Sequence, residues 1–271
     1  MNTLLDPAVT TMPDVQSGTD TRRVPIQRVG VRGVRHPLLL ASGKGQPQTT
    51  IAQWEMTVAL PAEEKGTHMS RFIDLLEAHR AEPMTPAGLC AMAQGMLDRL
   101  HAEAGDVVAD FPYFMEKSAP VSGVRSLMDY QVRWSVHVHR DQGACFSLRL
   151  RVPVTSLCPC SKAISEYGAH NQRSHVTASL TFLAVPTALD LDTLIQRIEA
   201  QGSSELWGLL KRADEKYVTE RAYENPKFVE DLVRDVAVLL QHQPGVSQYE
   251  VTAENFESIH NHSAYAVVSS Q

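Results

Sequence analysis

The sequence predicts an α+β chain of two ββααββ units in tandem, each an antiparallel sheet with helices on one face. Three observations lead there. Segments of roughly ten residues alternate apolar and polar side chains, which is the period of a half-buried strand. Between them lie stretches whose apolar residues recur at the three- and four-residue spacing of amphipathic helices. The order of these segments is two strands, two helices and two strands, and it occurs twice along the 271 residues.

Composition sets the frame for this reading. With 43% hydrophobic and 21% charged residues, the chain can bury a core, and disorder over most of its length is excluded. Its 25 Lys and Arg against 31 Asp and Glu give a net charge of -6, so no nucleic-acid partner is expected. No apolar run approaches the roughly 18 residues that cross a bilayer, so no membrane partner is expected either. The N-terminal MNTLLDPAVTTMPD carries acids where a signal peptide carries Lys or Arg, and a cytoplasmic location is expected. Four cysteines are too few for a disulfide framework. Cys90 and Cys145 are expected as small core residues.

Residues 1–23, rich in Ser, Thr, Asp and Pro, are expected to form a surface arm. The first unit covers 24–141. Its opening strands, 31–40 and 51–60, are joined by a Gly- and Pro-bearing turn at 42–50. Helices follow at 70–80, with Phe72, Ile73, Leu75 and Leu76 on one side, and at 86–101, where Thr85 caps and Pro86 takes the first helical position. Strands at 107–115 and 129–139 close the unit, the second with Val132, Trp134, Val136 and Val138 on one face. The second unit, 142–271, carries most of the site residues. Its strands are expected at 146–154 and 175–185, its helices at 192–211 and 226–241, and its closing strands at 249–256 and 263–269. Asn225 as cap and Pro226 at the first helical position open the last helix.

The chemistry concentrates in residues 155–176, TSLCPCSKAISEYGAHNQRSHV. Two thiols, two His, Lys162 and Arg173 stand there with Glu166 as the only acid, a pattern for an anionic ligand and a metal or nucleophile. Pro159 keeps a helix from starting between Cys158 and Cys160. Ser161 is expected to cap a short helix ended by Gly168, with Cys160 at its N-terminus, where free amides favour a thiolate. Such a helix spans roughly 10 Å, so Cys160 and His170 meet at one metal only if the next loop folds back. His260 and His262, two apart, share a face in an extended segment and offer a metal or acid–base pair. Glu215, Glu220, Glu224 and Glu230 are further carboxylates near the last helix, and Glu230 can equally pair with Arg234. Arg28, Arg32, Arg35 and His36 form a basic run suited to phosphates or, more simply, a solvated strand edge.

CPCSKAISEYGAHNQRSHV, together with PDVQ at 13–16, RVGVRGVRHPL at 28–38 and ENFESIHNHSAYA at 254–266, resembles the type IB GTP cyclohydrolases, the prokaryotic alternative to the better-known type I enzyme. The resemblance runs from about residue 13 to the C-terminus. It implies a tunnelling fold whose sheets assemble into barrels, with GTP as substrate and active sites between subunits of a homo-oligomer, a tetramer being expected. It implies metal-dependent hydrolysis of GTP to 7,8-dihydroneopterin triphosphate and formate, the first step toward tetrahydrofolate. The cofactor is then one divalent metal per site, Zn²⁺, Mn²⁺ or Fe²⁺, which activates the water that attacks C8 of the purine.

Carried over position by position, the resemblance puts the metal on Cys158, His170 and Glu215, with Cys160 near enough to substitute or to act in the chemistry. Cys158, Cys160 and His260 are its catalytic positions. Glu230 anchors the purine, and Lys162 and Arg173, with Arg32 and Arg35 as further candidates, hold the triphosphate. Two other readings stand beside this one: a tunnelling-fold nitrile reductase, using a Cys thioimide and NADPH on a deazaguanine, and a non-catalytic metal-binding oligomer.

Overall fold

Strict alternation of apolar and polar residues builds the frame. The protein is described from a computed structural model covering residue 16 and residues 18–41, 46–187 and 189–270. Eight strands form one antiparallel sheet in sequence order: β1 (Ile26–Leu40), β2 (Gln48–Leu60), β3 (Ala104–Ser118), β4 (Arg125–His139), β5 (Gly143–Leu157), β6 (Asn171–Phe182), β7 (Val246–Asn255) and β8 (Ala264–Ser269). In β4, Tyr130, Val132, Trp134, Val136 and Val138 are buried, while Gln131, Arg133 and His137 point to the other, polar face. The same parity in β5 buries Phe146, Leu148, Leu150, Val152 and Val154. Edge-on rings of Phe111, Trp134 and Phe146 run across the apolar face, with centroids 5.6 and 5.7 Å apart.

That face is covered by helices. Between β2 and β3 lie α1 (Ser70–His79) and α2 (Pro86–Leu100). They bury Phe72, Leu75 and Leu76, and Leu89, Met92, Ala93, Met96 and Leu97. Thr85 caps α2 as expected, its side chain accepting the Gly88 amide at 3.0 Å. A one-turn helix, α3 (Pro159–Ile164), sits in the β5–β6 connection. Between β6 and β7 come α4 (Leu191–Glu199), α5 (Arg212–Glu224) and α6 (Val229–Gln241). The order is therefore ββααββ twice, with added helices in the second half.

Several expectations are corrected. The helix expected over 192–211 stops at Glu199, because the Gly202-Ser203-Ser204 stretch turns back along β5 and Thr155 donates its amide to the Ser204 carbonyl at 2.9 Å. Gly202 is required there, since a Cβ would lie 2.7 Å from that of Val154. Helix α5 was not anticipated: it buries only Asp214 and Ala222 and so carries no apolar stripe. Helix α6 begins at Val229, not Pro226, and Asp231 accepts the Phe228 amide. Asn225 instead closes α5 and donates its side-chain amide to the Gly202 carbonyl. Cys145 is exposed, because its odd parity in β5 places it on the polar face with Ser147 and Arg149; Cys90 is buried as expected.

Of the expected arm, residues 1–15 and 17 lie outside the described residues, as do 13–15 of the PDVQ motif and 42–45 of the first turn. The described remainder of the arm lies along residues 63–67, Asp20 donating its amide to the Glu63 carbonyl. The basic run of β1 is a paired edge: Arg28 meets Asp106, Arg32 meets Glu55 and His36 meets Glu77 at 3.0–3.1 Å.

Candidate active site

The end of the sheet where β5 stops and β6 starts is closed by a short set of hydrogen bonds. The Cys158 amide donates to the His170 carbonyl at 3.1 Å, one step beyond the Leu157–Asn171 pair. Ser161 locks this closure: its hydroxyl donates to the Cys158 carbonyl and accepts the His170 amide, both at 3.2 Å. The thirteen-residue connection, 158–170, therefore returns, and Cys158 and His170 become neighbours although a helix separates them in sequence. That helix starts at Pro159, between the two cysteines where no start was expected, and its cap lies three residues before Ser161, because a proline at the first helical position lacks only an amide that is unpaired there anyway. Cys158 occupies the cap position and its sulfur accepts the Ser161 amide at 3.5 Å, while Cys160 lies exposed in the first turn. Ser161 is thus a staple and not the cap, and the helix ends at Ile164, before Gly168.

His170 is held tightly. Its side chain is only 13% exposed, and Nδ1 lies 2.9 Å from Gln172 Oε1 and 3.8 Å from Glu257 Oε2. Gln172 Nε2 donates to Ser156 Oγ at 2.8 Å, and Ser156 Oγ lies 2.7 Å from Ser174 Oγ. Gln172, Ser156 and Ser174 are all buried. Sequence reading missed this chain and Glu257. The signal was available: residues 156, 172 and 174 occupy the core phase of their strands and are polar.

The other expected residues take separate places. Lys162 donates Nζ to the Tyr223 carbonyl and lies 4.4 Å over the Tyr223 ring, tying α3 to the end of α5. Glu215 is exposed in the first turn of α5, eight residues from Tyr223, about 12 Å along the helix axis. Glu230 is exposed in the first turn of α6; Arg234 faces Asp231 at 4.0 Å and not Glu230. His260 and His262 are exposed in the β7–β8 loop with rings stacked 5.1 Å apart, so they do share a side. Among the described residues, no three His, Cys, Asp or Glu side chains of one chain converge as a metal group. The structure brings Cys158 and His170 together and does not add Glu215 to them.

Beside this cluster opens a pocket of about 440 Å³, lined among others by Arg151, Arg173, His175, Tyr130 and Trp207. Arg173 and His175 project from β6 to its polar face. Phe256, next to Glu257, donates its amide to the Arg173 carbonyl and stands edge-on to the His175 ring at 4.8 Å. Burial, followed by Arg151 and Arg173, depresses the His175 pKa below the usual imidazole range. The pocket wall formed by residues 206–208 is anchored from both sides. Trp207 Nε1 donates to the Ser118 carbonyl, and Lys117 Nζ donates to the Leu206 carbonyl and to buried Glu199. Arg221 of α5 clasps Glu205 with two bonds of 2.8 Å. Two cationic side chains against one carboxylate, Asp129, with an imidazole of depressed pKa and an aromatic wall, suit an anionic ligand with a planar group.

Comparison with known proteins places the chain in a family. The chain is 66% identical to the GTP cyclohydrolase FolE2 of Bordetella petrii and to that of Bordetella pertussis, over 99% of both chains in each case. It is 59% identical to that of Paraburkholderia xenovorans over 95% of this chain and 94% of the relative. Among solved structures, it resembles uricase from Arthrobacter globiformis, with TM-score 0.52, 9% identity and 96% of each chain covered. It also resembles a mutant urate oxidase of Bacillus sp. TB-90, with TM-score 0.52, 9% identity, and 90% and 99% covered. At such identity these likenesses speak for the fold, which is the tunnelling fold, and for nothing more. The description "Type I GTP cyclohydrolase folE2" matches residues 12–266, and on that match and those relatives the chain belongs to the FolE2 family of type I GTP cyclohydrolases.

Proposed function

We propose that the chain hydrolyses GTP to 7,8-dihydroneopterin triphosphate and formate, at a site centred on Cys158 and His170. The observation that supports this reading is the Cys158–His170 backbone closure, which makes a thiol-bearing residue and a residue with an oriented imidazole neighbours across the end of the sheet in a FolE2 family member. A soft sulfur and an imidazole, joined by a carboxylate, suit Zn²⁺, Mn²⁺ or Fe²⁺. Among the described residues one chain supplies Cys158 and His170 as neighbours without Glu215, so this third ligand is read as coming from an adjacent subunit. The metal, when bound, supplies an activated water for attack on C8.

The chain's own residues do the rest. Glu230 accepts hydrogen bonds from guanine N1–H and the exocyclic amine, a donor pair that adenine lacks. Arg173, exposed at the pocket, holds the triphosphate, and Lys162 joins it by leaving the Tyr223 carbonyl. Release of C8 as formate takes two waters and breaks its bonds to N9 and N7, each nitrogen taking up a proton; the rearranged ribose carbons then close on the freed N7 amine with loss of one water, and His260 moves the protons of these steps. Cys160, exposed beside Cys158, is the second thiol of the site. Family membership does not favour the nitrile reductase or the non-catalytic oligomer.

The assembly is read as a homotetramer with interfacial sites. Among the described residues, β1 and β8 each have one side without a strand neighbour, and β8 exposes Tyr265 and Val267. Unpaired edges of this kind are closed by another chain. No helix among the described residues is long and apolar enough to cross a membrane, and we read the enzyme as cytoplasmic. The test is a set of variants assayed for metal content, GTP affinity and turnover. Ala at Cys158, His170 or Glu215 lowers metal content and turnover together, whereas Glu230→Ala keeps metal and loses GTP affinity and base discrimination. A full site in Cys158→Ala, or an empty one in Glu230→Ala, contradicts the assignment.

A further inference from the structure

We propose that Gln172 is a positioning residue that fixes the tautomer of His170, through a buried chain running Ser174–Ser156–Gln172–His170. The inference rests on the reading of His170 as a metal ligand. Gln172 and Ser156 are direct cross-strand partners at the end of the β5–β6 ladder, and Ser174 lies two residues further along β6. Each link is short: 2.7 Å between the serines, 2.8 Å from Gln172 Nε2 to Ser156, and 2.9 Å from Gln172 Oε1 to His170 Nδ1. All three supporting side chains are buried, at 0% exposure for Ser174, 1% for Ser156 and 8% for Gln172, so water does not compete for these bonds.

The chemistry follows from donor and acceptor capacity. An amide nitrogen only donates and an amide oxygen only accepts. With its Nε2 committed to Ser156, Gln172 presents its oxygen to His170, and Nδ1 must carry the proton. The lone pair then resides on Nε2, the nitrogen left to a metal. Glu257, 3.8 Å from the same Nδ1, reinforces the choice by placing a second acceptor on that side. Partners of this kind behind a ligating imidazole are worth roughly 10- to 100-fold in metal affinity. The opposite amide orientation, with Nε2 facing His170, puts the proton on Nε2 and leaves no lone pair for a metal.

Three full-length variants and wild type decide it. Zn²⁺ affinity is measured by chelator competition, and the His170 tautomer by ¹⁵N NMR of metal-free, histidine-labelled protein. Wild type is expected to show the Nδ1–H tautomer. Gln172→Leu is expected to lose that preference and to bind Zn²⁺ roughly 10- to 100-fold more weakly. Gln172→Glu, whose carboxylate can only accept, is expected to keep the tautomer and to bind within a few-fold of wild type. His170→Ala serves as reference. Unchanged Zn²⁺ affinity in His170→Ala refutes the ligand reading itself. Loss of affinity there, with Gln172→Leu like wild type or Gln172→Glu as weak as Gln172→Leu, overturns the role of Gln172 alone. The wild-type spectrum needs no variant to fold, and an Nε2–H tautomer in it refutes the proposal directly.

Discussion

Lys117→Met tests how the pocket wall is held. Lys117 is 9% exposed and gives Glu199, 2% exposed, two bonds of 2.7 and 2.8 Å; the Tyr130 hydroxyl donates a third to Glu199 at 2.7 Å. Burial pushes the Glu199 pKa up, and Lys117 and Tyr130 hold it back. Removing the lysine leaves a carboxyl in the core with one donor, a change that costs about 3–5 kcal/mol against a total stability of about 5–15 kcal/mol. An unfolding entropy of about 2.1 cal/mol/K per residue over 271 residues makes this about 5–9 °C in Tm. Calorimetry at fixed protein concentration measures it, since association also shifts Tm.

The sign with pH is determined as well. Without Lys117 the folded pKa of Glu199 rises further above its unfolded value. The protonated form is then the stable one, present below the unfolded pKa and lost as pH rises through the folded pKa. The deficit is expected to be smaller at pH 5 than at pH 8. Replacing the whole set, Lys117→Met with Glu199→Leu and Tyr130→Phe, is expected to recover most of the loss. A fall of under about 2 °C for Lys117→Met alone, at about 2 °C per kcal/mol, refutes the reasoning.

Gly30→Ala places a Cβ 2.0 Å from the Met56 carbonyl oxygen, so it is expected to destabilise by about 1–3 kcal/mol, read as a lower urea midpoint at unchanged slope. His260→Ala is expected to retain metal and GTP binding while turnover falls roughly 100- to 10,000-fold; loss of metal instead places His260 among the ligands. The depressed pKa of His175 makes its neutral form the folded one, so stability is expected to fall as pH drops below the unfolded value of about 6.5. His175→Asn is expected to flatten that part of the pH–stability curve, and an unchanged curve assigns the acid sensitivity elsewhere.

Strand parity made most of the fold legible. The odd and even positions of β4 and β5 separate core from polar face without exception between Tyr130 and Val138, and the same rule would have placed Cys145 correctly outside. Helix α5 was illegible because it packs one alanine and one buried aspartate. Asp214 accepts from the nearby Lys211 amide and from the Val121 and Ser122 amides and the Ser122 hydroxyl, the last three far away in sequence. Those bonds outweigh the upward push of burial and hold its pKa below the carboxylate range. At the site, the CPC motif and His170 were visible as chemistry, but their meeting depended on Ser161, whose two bonds no spacing rule predicts. Gln172 was visible only as a polar residue in an apolar phase, a mark that gains meaning once its partners are seen.

Formate release tests the central claim most directly. Purified protein loaded with Mn²⁺ or Zn²⁺ is incubated with GTP, formate is quantified, and the oxidised pterin is followed by fluorescence and mass. The account predicts one formate and one dihydroneopterin triphosphate per GTP consumed, with both products lost together in Cys158→Ala and His170→Ala. GTP left intact by metal-loaded protein, or equal product from those two variants, contradicts it.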